Sequence, residues 1–232
     1  MIITVDGPSG SGKGTLCQLL AAKLGYHLLD SGALYRLTAL AVSRAGVPLS
    51  NESAVAAVAR DLPVVFKVSA QGQSVILQGA DVSADIRREE VGMLASQVAA
   101  MPSVRAALLQ RQRAFVEPPG LVADGRDMGT IVFPEAEVKV FLTASSQERA
   151  RRRFLQLQEA QEQGKGESPD MAMILADIED RDARDRSRAA SPLVPATDAL
   201  QIDSSAMPID AVLAQVLAKV SERLASFEHG LK

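Results

Sequence analysis

The spacing of apolar and polar positions changes along the chain, and each change marks a predicted element. Ile2-Ile3-Thr4-Val5 is a short apolar run that predicts a buried strand, and residues 16–24 continue it as an amphipathic helix ended by Gly25. Residues 26–30 predict a second strand. Residues 31–45 predict a helix that Ser31 can cap and that Gly46-Val47-Pro48 stops. A helix over 50–59, capped by Ser50 or Asn51, follows. The period then shortens: residues 64–68 and 74–77 flank Gln71-Gly72-Gln73 as a hairpin, with a third short strand near Asp81-Val82. Helical spacing resumes over 83–100, where Ile86, Val91, Leu94 and Val98 form a broken apolar stripe.

Pro102 opens the next helix, which offers Val104, Leu108, Leu109 and Phe115 to a core and ends at Pro118-Pro119-Gly120. Residues 121–124, 138–142 and 199–203 predict three more strands, all separated by helices. Two of those helices, over 145–163 and 170–189, are highly charged and are joined through Gly164-Lys165-Gly166. A last helix over 209–224 covers the sheet with Val212, Val216, Leu217 and Val220. Alternation of this kind predicts an α/β protein with right-handed crossovers and a mostly parallel sheet of five strands. The antiparallel hairpin inside it reads as an insertion of roughly 35 residues.

With 232 residues, 47% hydrophobic and 23% charged, the chain can bury a full core, which excludes general disorder. A net charge of −3 gives no global attraction to nucleic acid, so any anion binding must be local. Cys17 is the single cysteine; it has no disulfide or metal-spaced partner and reads as a small buried hydrophobe in a reducing compartment. No apolar run approaches the roughly 18 residues of a membrane span. Met1 leads directly into the first strand rather than into a signal peptide, so the expected location is the cytoplasm. Repeats and low-complexity tracts are absent.

The chemistry concentrates at Gly7-Pro8-Ser9-Gly10-Ser11-Gly12-Lys13-Gly14-Thr15, which lies between the first strand and the first helix. That context suits a phosphate-binding loop: glycines let backbone N–H groups turn inward around an anion, Lys13 adds charge, and the helix start aims its dipole at the same point. Gly14 stands where the usual pattern has Ser or Thr, and Thr15 follows one residue later. The second strand ends on Asp30 and Ser31, followed by Tyr35 and Arg36; capping and ligand binding account equally well for the first two. Arg149, Arg151, Arg152 and Arg153 crowd one charged helix. On the other, Arg181, Arg184, Asp185 and Arg188 fall within roughly 100° of one another. Such a face suits solvent as well as phosphate, and the arginine excess after a phosphate loop favours phosphate.

No Asn-Lys-x-Asp base reader of the GTPase switches is present. A small sheet with an insertion and an arginine-rich hinge suits a small-metabolite kinase, which must exclude water from the γ-phosphoryl group. Phosphoryl transfer asks mainly for positioning and charge neutralisation.

Four stretches carry a family resemblance: residues 7–15, Leu29-Asp30-Ser31-Gly32-Ala33-Leu34-Tyr35-Arg36, Ala123-Asp124-Gly125-Arg126-Asp127-Met128-Gly129-Thr130 and Arg181-Asp182-Ala183-Arg184-Asp185-Arg186. Over nearly its whole length the chain closely resembles the bacterial cytidylate kinases, a branch of the nucleoside monophosphate kinases in which the Gly14-Thr15 variation is usual. The resemblance implies a three-layer P-loop fold. Its core would span 1–61, 98–148 and 171–232, with a monophosphate-binding insertion at 62–97 and a helical lid at 149–170. It implies transfer from ATP to CMP or dCMP by direct in-line displacement with Mg²⁺. Gly7, Gly10, Ser11, Gly12, Lys13, Gly14 and Thr15 would hold the ATP phosphates, joined by Arg149 and Arg153 from the lid. Ser31, Arg36, Arg126 and Arg188 would hold the CMP phosphate, Ser96, Arg105 and Asp127 would read cytosine, and Tyr35, Arg181 and Asp185 would lie along the sugar. Asp124, near Thr15, would organise Mg²⁺ through water, with no direct protein ligand to the metal. Lys13, Arg126, Arg181, Arg188 and Asp124 are the catalytic set that the resemblance implies. A monomer is expected, with neither nucleic acid nor membrane as partner. The connection over 158–171 is longer and more polar than the family form, which leaves open which of Arg149, Arg152 and Arg153 meets ATP. A kinase of UMP, AMP or shikimate type is the nearest alternative. A nucleotide-dependent binding module that hydrolyses slowly is the alternative from another class.

Overall fold

In chain order the elements are β1 (Ile2–Asp6), α1 (Lys13–Leu24), β2 (His27–Asp30), α2 (Ser31–Arg44), α3 (Glu52–Arg60), β3 (Val64–Ser69), β4 (Gly72–Leu77), β5 (Ala80–Asp81), α4 (Glu89–Val98), α5 (Pro102–Arg113), β6 (Leu121–Gly125), β7 (Val138–Thr143), α6 (Ser146–Glu162), α7 (Met171–Ser187), β8 (Leu200–Asp203) and α8 (Ile209–Gly230). The structure is a computed structural model that describes residues 1–69, 72–163 and 168–230. Two of the expected connections fall partly or wholly outside the described residues: the hairpin turn at 70–71 and the link at 164–167. The chain divides into two compact units, one made of Met1–Leu29 with Phe115–Lys232 and the other of Asp30–Ala114.

The first unit is built on a five-stranded sheet of order β2-β6-β1-β7-β8. Parallel ladders join β1 to β6, with Val5 opposite Asp124, β1 to β7, with Val5 opposite Val140, and β7 to β8. Parallel strands need both faces covered, which explains why β1 is a continuous apolar run rather than an alternating one. Ile3, Val5, Val122, Val140 and Leu142 pack with Leu16, Cys17 and Leu20 of α1, and with Val212, Val216 and Val220 of α8. Burying each Val or Leu side chain there contributes roughly 1.5–3 kcal/mol. Cys17 is fully buried in this cluster, as a small hydrophobe should be.

The second unit holds an antiparallel sheet of order β3-β4-β5, with Val64 opposite Leu77 and Ile76 opposite Asp81. Ala33, Leu37 and Ala41 of α2 pack against Leu62, Val75, Leu77, Val82 and Ile86. The sequence 62–97 therefore lies inside a larger unit, because the apolar face of α2 is what covers the hairpin. The pairs α2 with α4 and α3 with α5 complete it.

Three local expectations change. The helix predicted over 83–100 is divided into a 3₁₀ turn at Asp85–Arg87 and α4, with Arg88 extended between them (φ −65°, ψ 147°). The Arg36 guanidinium donates to the Ile86 carbonyl at 2.8 Å and to the Arg88 carbonyl at 3.3 Å, and the Arg88 carbonyl also accepts from Gly92 N–H at 3.1 Å as α4 begins. Asp30, not Ser31, caps α2: its Oδ1 accepts from Ala33 N–H at 3.0 Å, while Ser31 is already the first helical residue. α8 runs past 224 to Gly230. At α3 the cap is Asn51, one of the two residues expected there. Among the described residues no helix is long and apolar enough to cross a membrane.

Candidate active site

The loop from β1 to α1 has the geometry its glycines predict. A Cβ on Gly7 would stand 2.0 Å from the Leu142 carbonyl oxygen of β7, so only glycine lets the chain leave the sheet there. Gly12, left-handed at φ 93°, precedes α1 and offers no side-chain cap, which leaves the N–H groups of the first turn for an anion. Lys13 is 5% exposed, and its Nζ donates to the Pro8 carbonyl at 2.8 Å, an acceptor that Ser11 Oγ also uses at 3.0 Å. Burial first, and then the Arg126 charge, lower the Lys13 amine to about 8. Asp124, at the end of β6, faces the same loop: a Cβ on Gly14 would lie 3.7 Å from Asp124 Oδ2.

Asp185 on α7 is 1% exposed and serves two arginines. Arg126 Nε donates to its Oδ2 at 2.9 Å, and Arg188 Nη2 donates to its Oδ1. Burial pushes this carboxyl up, but the Arg126, Arg188 and Arg181 charges prevail and hold it below the ordinary carboxylate range. The predicted α7 face therefore meets Arg126 from just after β6, and Asp185 pairs with its guanidinium and with that of Arg188.

Arg149 is engaged on all three of its nitrogens. It forks onto Asp182 at 3.0 and 2.5 Å and donates to the carbonyls of Ser9 at 3.1 Å and Ala144 at 2.9 Å. Its side chain packs against Gly10, bracing the phosphate loop from behind. Arg152 reaches the Ser204 carbonyl at 2.7 Å and Glu148 Oε1 at 2.9 Å, and Arg153 is half-buried on the same helix. Hydrogen bonding from Arg151, then Arg152, lowers Glu148 to about 2. Arg152 also lines a cleft of about 430 Å³ with Ser11, Gly12, Thr15, Ser205 and Met207. Sequence reading missed residues 204–207; the available signal was their place just after a parallel strand, where α/β sheets bind ligands.

In the second unit α2 carries Ser31, Tyr35 and Arg36, and α4, packed on it, carries Ser96. The Arg36 guanidinium lies over Gly92, where a Cβ would come within 2.8 Å of Nη2. Arg105 donates to the Ala99 carbonyl at 3.1 Å and sits 5.4 Å from the centre of the Tyr35 ring, a cation–π distance. Ser96 is 3% exposed, and its hydroxyl has no partner among the described residues. A buried orphan of that kind points to a ligand that supplies the partner.

Asp127, in the first unit, is buried at the start of a π-helical turn, Met128–Val132, yet makes no side-chain cap to it. Asp6 does so instead. Its Oδ1 accepts from Met128 N–H and its Oδ2 from Gly129 N–H, both at 2.8 Å. Burial raises the Asp6 carboxyl to about 7 against the pull of these two N–H groups.

A parallel sheet whose first strand feeds a glycine loop, a buried lysine at the helix start and a strand-end carboxylate beside them define a P-loop kinase. The chain belongs to the cytidylate kinase family, whose model, described as cytidylate kinase, matches residues 3–222. It is similar to the cytidylate kinase of Aeromonas hydrophila subsp. hydrophila, with 58% identity over 223 residues, 96% of this chain and 95% of that one. The cytidylate kinase of Yersinia enterocolitica serotype O:8 is 59% identical over 225 residues, 97% of this chain and 95% of that one. Among solved structures, a gluconokinase from Sinorhizobium meliloti 1021 has 18% identity and a TM-score of 0.47, covering 99% of this chain and 96% of its own, a likeness too loose to bear on function.

Proposed function

We propose that the protein transfers the γ-phosphoryl group of ATP to CMP and dCMP, yielding ADP with CDP or dCDP. The observation that carries this reading is the buried Lys13 at the head of α1, facing Asp124 and Arg126, in a chain of this family. The acceptor phosphate is itself the nucleophile, so no general base is required and the protein's work is alignment and charge neutralisation. The N–H groups after Gly12, with Lys13, hold the donor phosphates. The cleft lined by Arg152 and Met207 takes the rest of the donor nucleotide. In the first unit, Arg126 and Arg188, oriented by Asp185, are the groups for the acceptor phosphate, Asp127 is the group for the base and Arg181 that for the sugar. In the second unit, Arg36 and Ser31 are the groups for the phosphate, Ser96 and Arg105 those for the base and Tyr35 that for the sugar.

Mg²⁺ suits the donor set. Mg²⁺ prefers phosphate and water oxygens, so the nucleotide phosphates would supply its direct ligands and Asp124 and Thr15 would hold it through its water. When bound, the ion neutralises phosphate charge. The reading takes the enzyme as a cytoplasmic monomer, and elution as a single-chain species in sizing chromatography is the result expected for it.

A coupled assay of ADP formation with CMP, dCMP, UMP and AMP tests the assignment. Rapid turnover is expected with the two cytidylates, slow turnover with the others and almost none without an acceptor. Acceptor-independent hydrolysis would make the protein a nucleotide-driven binding module.

Asp127→Ala should reduce kcat/KM for CMP far more than for UMP. A carboxylate accepts from the cytosine N4 amino group and repels the uracil carbonyl, a discrimination of about 1–3 kcal/mol per lost partner. The ATP KM should hold. If both acceptors lose equally and the melting temperature falls with them, Asp127 only shapes its loop.

Arg188→Lys replaces a planar fork by a point charge. The acceptor KM should rise by roughly tenfold or more, the scale of one charge-assisted hydrogen bond. Equal rises in the ATP and CMP KM values would move Arg188 out of the acceptor site.

A further inference from the structure

The turn that carries Asp127 is held from another strand. Its first N–H groups belong to Met128 and Gly129, and such groups at a helical start have no partner within the turn. The turn's own bonds, Ile131 and Val132 N–H to the Asp127 carbonyl and Phe133 N–H to that of Met128, do not use them. Asp6 takes both, one on each carboxylate oxygen, from 122 and 123 residues away in sequence. The turn is also pressed onto the sheet: a Cβ on Gly129 would stand 2.8 Å from Thr4 Oγ1 and 3.3 Å from Lys139 Cδ. In the ladder Asp6 lies opposite Gly125, one residue before Arg126. Asp6 also directly precedes Gly7, where the phosphate loop begins. One 4%-exposed carboxylate therefore links the start of the donor loop to the turn bearing Arg126 and Asp127.

We propose that Asp6 is a positioning residue for acceptor recognition: without touching the substrate, its carboxylate holds the Arg126–Asp127 turn at a fixed place beside the phosphate loop. The proposal rests on the assignment of Asp127 as a base reader. Two parallel N–H···O bonds fix both the height and the rotation of the turn, which a single bond would leave free to swing. Lys13 and Asp127 are the charged groups that act on this carboxylate, with opposite effects. A carboxylate with both oxygens engaged is the form that holds the turn, whereas an amide would place one NH₂ against an N–H.

Asp6→Asn keeps the shape and loses one of the two acceptors. The acceptor kcat/KM with CMP should fall roughly 10- to 100-fold, the scale of one buried charge-assisted bond, chiefly through KM. KM for ATP should stay within about twofold, and the CMP to UMP preference should narrow. A mutant cycle separates this proposal from the reading beneath it. If Asp127 reads the base, Asp127→Ala alone narrows the CMP to UMP ratio, and failure there sinks that reading by itself. If Asp6 acts through Asp127, adding Asp6→Asn to Asp127→Ala costs little more CMP discrimination; independent, additive losses overturn the positioning role while sparing the reading. Should Asp6→Asn not fold, the wild-type enzyme decides. The Met128 and Gly129 amide protons should exchange slowly with solvent, and by linkage saturating CMP should slow them severalfold further. Amides that exchange as freely as exposed ones, or that CMP leaves unchanged, overturn the proposal.

Discussion

Lys13→Ala should give a folded protein whose kcat for CMP phosphorylation lies at least ~100-fold below wild type, the scale for losing one preorganised charge. The fold should survive because the Pro8 carbonyl that Lys13 Nζ occupies keeps a second donor in Ser11 Oγ at 3.0 Å. Burial and Arg126 together make the ammonium costly at rest. That cost is relieved when anionic phosphate arrives, and relieved further as charge moves onto the bridging oxygens, so the loss should fall on turnover more than on melting. The lowered value of about 8 adds a pH consequence. The charged form is the one that meets phosphate, so kcat/KM for ATP in the free enzyme should decline as pH rises through about 8, and Lys13→Arg should flatten that limb. Near-normal turnover in Lys13→Ala, with an unchanged melting temperature, would take the loop out of the mechanism.

What the sequence disclosed was whatever its chemistry settles over short range. The phosphate loop was legible because glycine spacing, a preceding apolar run and a following helix are all local. The parallel sheet was legible because helices separate most of its strands, although only the π-helical turn Met128–Val132 stands between β6 and β7, where a helix was expected. What escaped depends on partners distant along the chain. Asp30 and Ser31 both carry a capping oxygen, and only the extended backbone of Asp30 (φ −90°, ψ 94°) decides between them. At the break, the carbonyls of Ile86 and Arg88 meet Arg36, about fifty residues earlier, a contact that no spacing rule within 83–100 encodes. Arg149 reads as one more cation on a charged helix until Asp182, 33 residues on, turns it inward beneath the loop. Asp6 reads as the polar end of a strand, and its two acceptors become meaningful only beside Met128 and Gly129. Substrate-facing assignments in the second unit rested on family resemblance, and the buried hydroxyl of Ser96 now gives that unit an observation of its own.

Asp185→Ala should be the most destabilising single change in the site, and its effect should reach the acceptor before the donor. The carboxylate is 1% exposed and is shared by Arg126 and Arg188, whose side chains are 19% and 5% exposed. Removing one partner of a buried ion pair costs about 3–5 kcal/mol because the remaining charge stays desolvated. For a chain of this size that lowers Tm by roughly 6–20 °C, at about 2–4 °C per kcal/mol. The carboxyl is held below its ordinary value, so its stabilisation is present above the unfolded value of about 4 and is lost as pH falls through the lower folded value. The melting temperatures of wild type and variant should therefore converge as pH is lowered below about 4. In kinetics both guanidinium groups lose their common anchor, so KM for CMP should rise more than KM for ATP. Replacing Arg188 by methionine in the Asp185→Ala background removes one of the stranded charges and should recover part of the stability without recovering activity. A variant that melts within about 1 kcal/mol of wild type would mean that solvent, not Asp185, balances the two arginines, because an exposed pair contributes only that much.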